Sequence, residues 1–343
     1  MEKDSVKVFL RVRPNKSAGL ENSPAQLVDR KKSTQRMIVV DKLPYTFDHI
    51  FYQSSTQDEV FQVMVAPQIE KLLNGFNSSI LAYGQSGTGK TYTMGLNEQN
   101  TAGMIIMGID SLFRKLNEDA VEDSEQEVTV SFIEIYNEKV YDLLSDNSAE
   151  SIYSKGAKFN GSIRLPIAGS AEAFKILQDG KKNRHVRTTS LNIASSRSHA
   201  MFSVFLHTRT EQQQETTAVM HFCDLAGSEG LRHTNHSGMA QQESVNINRG
   251  LLSVSKVVQA LSLGKSLIPY RDSVLTVVLQ DSLNVRSYIA ILGCVSPARG
   301  DKNETMSTIR FAQSVKMLDN KNVPELSAYL NEKQVSIQNI YFF

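Results

Sequence analysis

The sequence predicts an α/β fold: a central, mostly parallel, twisted sheet with helices on both faces. Three observations predict it. Short β-branched strands alternate with stretches of helical periodicity along the chain, which favours parallel strands joined by helical crossovers. A glycine-rich run follows directly on a short apolar strand and opens a helical turn; ligands of such sheets sit outside the carboxyl ends of the strands. No Pro/Gly/Ser-rich linker, charge block or internal repeat divides the 343 residues, so one large unit is expected.

The elements follow in order. Residues 5–11 alternate and carry Val6 and Val8, the pattern of a strand, and Pro14 ends it. Segments 37–40 and 45–47 read as short strands. Residues 57–73 place Val60, Phe61, Met64, Val65, Ile69, Leu72 and Leu73 at helical spacing, and Gly75 stops that helix. Residues 79–83 form the apolar strand before the glycine run. Helices are expected at 104–116, 171–184, 244–261, 272–282 and 305–318, and strands at 128–136, 201–208, 218–225 and 288–295.

Bulk composition narrows the class of protein. Hydrophobic residues make up 41% and charged residues 21%, which suits a globular chain with a large core. The net charge of +1 excludes a general polyanion trap, so an acidic partner must meet a local basic patch. Cys223 and Cys294 sit in apolar runs without ligand spacing, and buried free thiols are expected. The start Met1-Glu2-Lys3-Asp4-Ser5 lacks a basic and apolar leader, and no apolar run has bilayer length. A soluble protein of the cytoplasm is the expectation.

Gly84-Gln85-Ser86-Gly87-Thr88-Gly89-Lys90-Thr91 fits G-x-x-x-x-G-K-[ST] in full. Glycines let backbone N–H groups wrap phosphates without a Cβ in the way. Lys90 supplies a point charge to the β- and γ-phosphates, and Thr91 offers a hydroxyl to Mg²⁺. The fold expected is therefore that of a P-loop NTPase. Such a loop needs partners that sense the γ-phosphate. Two segments are candidates: Asn192-Ile193-Ala194-Ser195-Ser196-Arg197-Ser198-His199, and Asp224-Leu225-Ala226-Gly227-Ser228-Glu229 after an apolar strand. An Asp at a strand end suits a second Mg²⁺ contact, and a glycine three residues on can lend its N–H to a γ-phosphate.

With these blocks in place the chain resembles a kinesin motor domain. The resemblance also rests on Arg11-Val12-Arg13-Pro14, on Tyr92-Thr93-Met94 after the loop, on 131–144 (SFIEIYNEKVYDLL), 246–251 (NINRGL), 269–283 (PYRDSVLTVVLQDSL) and 304–312 (ETMSTIRFA). The blocks appear in family order and cover residues 4–323, so a motor domain over 1–323 and a neck stub at 324–343 are implied. The resemblance implies ATP and Mg²⁺ as cofactors. Arg11, Pro14 and Tyr92 would flank the adenine, and Arg13 would also belong to the nucleotide site. Asn192, Ser195 and Ser196 belong to a first switch, with Ser196 approaching Mg²⁺ and the γ-phosphate. Asp224 and Gly227 belong to a second switch. Arg197 and Glu229 would form a salt bridge when the switches close, with Glu229 accepting the proton through water. Asn248 matches the asparagine at the start of the helix that follows.

A microtubule partner is implied as well. Tubulin is acidic, so contacts should be basic and salt-sensitive; Lys139, Arg232, Lys265 and Arg271 are the candidates. Their surface would be the second switch, the long helix after it and the stretch through Tyr270-Arg271-Asp272-Ser273. Residues from Lys316 onward match the neck linker.

Several positions depart from the family pattern. Val274 and Val277 stand where most kinesins carry a lysine and an arginine. Gly230 replaces an arginine, and Gly250 a serine near the start of a helix, where glycine costs about 1 kcal/mol. Pro324 is unsuited to a docking strand, and 325–343 holds too few heptads for a coiled coil. The Asn-Ile-Asn-x-Gly-Leu-Leu-Ser and Tyr-Arg-Asp-Ser-Val-Leu-Thr runs resemble the Nod-type, chromokinesin-related branch, implying a spindle or chromosome role. The alternative implied by the departures is a nucleotide-gated microtubule-binding factor that does not translocate.

Overall fold

The computed structural model describes residues 6–14, 28, 30–97, 103–118, 124–154, 161–190, 195–210, 215–229, 239–281, 283–284 and 287–316. The strands are β1 (Val6–Val12), β2 (Met37–Val40), β3 (Leu43–Thr46), β4 (His49–Phe51), β5 (Ser78–Tyr83), β6 (Ser124–Tyr136), β7 (Lys139–Asp142), β8 (Ser151–Ser154), β9 (Leu165–Ile167), β10 (His199–Thr210), β11 (Glu215–Asp224) and β12 (Tyr288–Val295). The α-helices are α1 (Gln57–Val60), α2 (Ala66–Leu73), α3 (Lys90–Met94), α4 (Met104–Glu118), α5 (Ser170–Ser190), α6 (Met239–Ser262), α7 (Val274–Val278) and α8 (Lys302–Lys316).

Ten strands form one sheet in the order β4-β1-β12-β5-β11-β10-β6-β7-β8, with β9 against β6. Strands β4, β1, β12, β5 and β11 run parallel to their neighbours. From β11 through β10, β6, β7 and β8 every pair is antiparallel. The expected parallel sheet therefore holds for the half that carries the glycine loop, and the whole sheet is mixed. The physical reason is local: 199–210 and 215–224 are two long strands joined by a short connection, which can only return antiparallel.

Alternating side chains feed two cores. On β1, Val6, Val8, Leu10 and Val12 enter one core with α6, α7 and α8, while Phe9 enters the other. That second core holds α2, α4 and the Ala173 and Leu177 face of α5. On β5, Leu81 and Tyr83 go one way and Ile80 and Ala82 the other. Helices on both faces are thus as expected.

Some boundaries differ from the periodicity. The helix expected at 57–73 contains a π turn, Phe61–Val65, between α1 and α2, with Thr56 as N-cap. The helix expected at 272–282 is a 3₁₀ turn, Tyr270–Asp272, followed by the five-residue α7. Ser273 breaks the run: its extended backbone caps α7, its hydroxyl accepting from Thr276 N–H. Both cysteines are buried and free, as expected. Among the described residues no helix is long and apolar enough to cross a membrane.

Candidate nucleotide site

Strand β5 delivers the glycine loop to the carboxyl end of the parallel half. The loop turns back hard against β12. At Gly84, φ is +145° and a Cβ would lie 2.2 Å from the Cys294 carbonyl oxygen, so only glycine fits. Gly89 in left-handed geometry then opens α3. Lys90 is buried, and its ammonium donates to the carbonyls of Gly84 at 2.7 Å and Gln85 at 2.9 Å. Burial lowers its pKa, while Asp224, Cys294 and Glu229 pull it back up.

The neighbouring strand β11 places Asp224 opposite Ala82 of β5. The Thr91 hydroxyl donates to Asp224 Oδ2 at 2.7 Å, which brings two of the expected cation contacts together. The other oxygen, Oδ1, is buried without a hydrogen-bond partner. An orphan carboxylate oxygen beside a hydroxyl fits the coordination sphere of a divalent cation, directly or through its waters. Burial raises the Asp224 pKa, opposed by Arg184, Lys90 and the Thr91 bond. Among the described residues no group of three His, Cys, Asp or Glu could cage a metal alone. That suits Mg²⁺, which is held by one or two protein oxygens plus phosphates. The loop and its cation pair therefore fit a magnesium nucleotide.

The second switch candidate reaches the loop, and the first is joined to the second. Ser196 and Arg197 lie in a 3₁₀ turn, Ser195–Arg197, and the Ser196 carbonyl accepts the Gly227 N–H at 2.7 Å. Ser228 N–H donates to the Gly84 carbonyl at 3.2 Å. Glu229 Oε2 accepts the Ser86 backbone N–H at 2.9 Å, and Oε1 accepts the Ser86 hydroxyl. In this arrangement the carboxylate is set on the phosphate loop, and the pair with Arg197 implied by the resemblance is not the one made. Asn192 lies outside the described residues, as does the side chain of Ser195.

At the base-binding end, Tyr92 is 47% exposed and Pro14 is exposed. Arg11 lies beside Tyr92. Its guanidinium is buried, donates to Gln57 Oε1 at 2.6 Å and Thr93 Oγ1 at 2.7 Å, and lies 5.6 Å from the Tyr92 ring centroid. Arg13 donates to the Gly87 carbonyl at 2.9 Å and pairs with Asp301 at 3.3 Å.

One buried cluster was not anticipated. Glu134, 1% exposed on β6, accepts from Arg187 Nε at 2.7 Å, Arg184 Nε at 3.3 Å and the Ser198 hydroxyl at 2.6 Å. Arg184 also lies 4.0 Å from Asp224, and the Arg187 guanidinium covers the Tyr141 ring. The cluster ties Ser198 and Asp224 to the β6–α5 layer. Arg184 is buried. The signal was available: a lone carboxylate inside the apolar run 128–135 demands cations.

Of the microtubule candidates, Lys139, Lys265 and Arg271 are exposed, and Arg232 lies outside the described residues. Val274 is fully buried and packs in the core with α6. Its replacement of a cation is therefore a core substitution, whereas Val277 is only partly buried.

A sequence profile of the kinesin motor domain matches residues 11–318. The chain is similar to Kinesin-like protein Nod of Drosophila melanogaster, with 40% identity over 325 residues, covering 92% of this chain and 47% of Nod. Against chromosome-associated kinesin KIF4 of Mus musculus identity is 34% over 355 residues, covering 98% of this chain and 29% of that protein. The chain thus spans half or less of the length of these relatives. Among solved structures, Drosophila NOD docked with bovine tubulin into a map of nucleotide-free NOD on the microtubule gives a TM-score of 0.74. Its identity is 34%, covering 93% of this chain and 99% of that one.

Proposed function

The chain belongs to the kinesin motor domain family, and on that footing we propose that it is a microtubule-stimulated ATPase. It couples ATP binding and hydrolysis to microtubule grip and to force or movement, on the spindle or chromosomes. One observation carries this reading: the second switch segment touches the phosphate loop, through Ser228 on Gly84 and Glu229 on Ser86, and is tied to the first through Gly227 on Ser196. Whatever occupies the loop is felt by two loops that lead into β10 and toward α6.

Bound magnesium ATP supplies the phosphoanhydride bond to be cleaved and a cation that neutralises charge on its phosphates. The chain's residues position the rest. Lys90 and the loop N–H groups hold phosphate oxygens. Thr91, Ser196 and Asp224 hold the cation shell, with Arg184 beside Asp224 offsetting its buried charge. Tyr92 and Pro14 present the base-binding face, with Arg11 beside Tyr92. Gly227 lends its N–H to the terminal phosphate, Arg197 pairs with the displaced Glu229, and Glu229 takes the proton of the attacking water through a second water. Positioning and electrostatics supply most of the rate in phosphoryl transfer. The similarity to Nod and to a chromosome-associated kinesin supports the spindle or chromosome setting.

Steady-state ATPase titrated with microtubules tests the proposal: stimulation at low salt is expected, and a rate indifferent to microtubules overturns it. The half-buried Val277, where the family carries a cation, favours the non-translocating alternative. A gliding assay with surface-fixed protein separates the two readings, since steady filament movement removes the alternative.

A further inference from the structure

The contact between Glu229 and Ser86 has a consequence for which nucleotide the site prefers. The carboxylate does not rest on a random surface. It accepts the backbone N–H of Ser86 at 2.9 Å and the hydroxyl of the same residue. Ser86 lies inside the phosphate loop, on the side that faces the second switch: Gly227 packs beside it, and a Cβ on Gly227 would meet the Ser86 hydroxyl and both Glu229 oxygens within 2.4 Å. Ser228 N–H fastens the same segment to Gly84 at 3.2 Å. The Gly227 N–H is meanwhile spent on the Ser196 carbonyl at 2.7 Å. An anionic side chain thus occupies loop donors beside Gly227, the residue read as the donor to a terminal phosphate, while Lys90 and Thr91 form the start of α3.

We propose that Glu229 is an anionic plug on the phosphate loop, that Ser86 is the residue that holds it there, and that a triphosphate must expel it whereas a diphosphate leaves it seated. This rests on the reading of the loop as a nucleoside-triphosphate site. The physics is competition plus repulsion. Two anions cannot share one set of donors, and like charges at a few ångströms disfavour each other strongly in a partly buried site. Expulsion releases the Glu229 carboxylate to face Arg197, so arrival of the γ-phosphate and delivery of the hydrolytic carboxylate become one event. The plug also reduces the apparent triphosphate affinity in proportion to the fraction of molecules in which it is unseated.

The test is equilibrium binding of fluorescent ADP and of a fluorescent non-hydrolysable ATP analogue to the wild-type chain and to Ser86→Ala and Ser86→Thr, with no turnover involved. Removing the hydroxyl loosens the plug, so the ratio of triphosphate to diphosphate affinity is expected to rise about fivefold in Ser86→Ala, the worth of one hydrogen bond. Ser86→Thr keeps the hydroxyl and is expected to restore the wild-type ratio, which a merely structural role for Ser86 would not require. Glu229→Gln removes the charge and is expected to raise the ratio in the same direction. A ratio unchanged or lowered in Ser86→Ala overturns the plug, as does a threonine variant that behaves like alanine. A wild-type chain that binds neither nucleotide overturns the site reading itself, so the two failures are distinct.

Discussion

Lys90 is 6% exposed and donates to two loop carbonyls, close to Asp224 and Glu229. A buried ammonium among acceptors is poised for phosphate oxygens, and hydrogen bonds to charged groups are the strong ones. Lys90→Ala is expected to weaken nucleotide binding on the order of a hundredfold; titration with fluorescent ADP checks it. Two histidines report on the same region. His199 accepts the Ala226 N–H at 3.1 Å, and burial, with Arg184 and Lys90 facing it, pushes its pKa down to about 3. His221, bonded to Ser203, is pushed to about 4 by burial with Arg164 nearby. Both are therefore neutral in the folded state and take up protons first in the unfolded state. Stability is present above pH 6.5 and is lost as pH falls from there toward the folded values. At pH 5 each should cost about 2 kcal/mol, taking 1.36 kcal/mol per unit below an unfolded value of 6.5. His199→Asn keeps an acceptor for Ala226 without titrating, so its melting temperature is expected to fall less between pH 7 and pH 5 than that of the wild type.

Two helical glycines make opposite predictions at the scale of elements. Gly250 in α6 has room: a Cβ would make ordinary contact with His199 Nε2 at 3.6 Å and Leu275 Cδ2 at 3.9 Å. Gly250→Ala should therefore stabilise by up to about 1 kcal/mol through helix propensity. Gly180 in α5 lies against β6, where a Cβ would fall 2.3 Å from the Phe132 ring. Gly180→Ala should destabilise by about 1–3 kcal/mol through overpacking. Denaturant melts of the two variants should move in opposite directions. The same contrast explains what the sequence could and could not say. Strand 288–295 and the helix at 104–116 carry their own periodicity and were legible, as was the loop at 84–91, whose chemistry is contiguous. The short strands β7–β9 were not legible, because pairing along the β6 edge, β7 and β9 on β6 and β8 on β7, decides them rather than local pattern. Glu134 meets Arg184 and Arg187 across 50 and 53 positions, a separation no local motif spans.

The sheet as a whole changes direction at the β11–β10 boundary, and the site sits there. Parallel β5 and β11 align the loop with Asp224, while antiparallel β10 brings the first switch back to the same end. The other end of the relay is the α6–α7 corner. Glu138, in the β6–β7 turn, accepts the Val274 N–H at 3.2 Å and so fixes that turn beside α7. Lys139 is the next residue and Arg271 lies three residues before Val274, so two exposed cations flank this contact along the chain. With a formal net charge of only +1, long-range attraction to an acidic polymer is weak, and grip must come from such local groups. Exposed ion pairs are worth about 0.2–1 kcal/mol each and fade as the Debye length shortens. Reversing both charges, Lys139→Glu with Arg271→Glu, is therefore expected to weaken microtubule co-sedimentation about fivefold or more at low salt, with the gap closing as salt is raised. Val277→Arg, on a partly buried position of the same corner, is expected to shift affinity the opposite way, whereas Val274→Lys buries a charge in the core and should cost several kcal/mol of stability. If the double reversal leaves binding unchanged at low salt, the grip lies elsewhere than at these two cations.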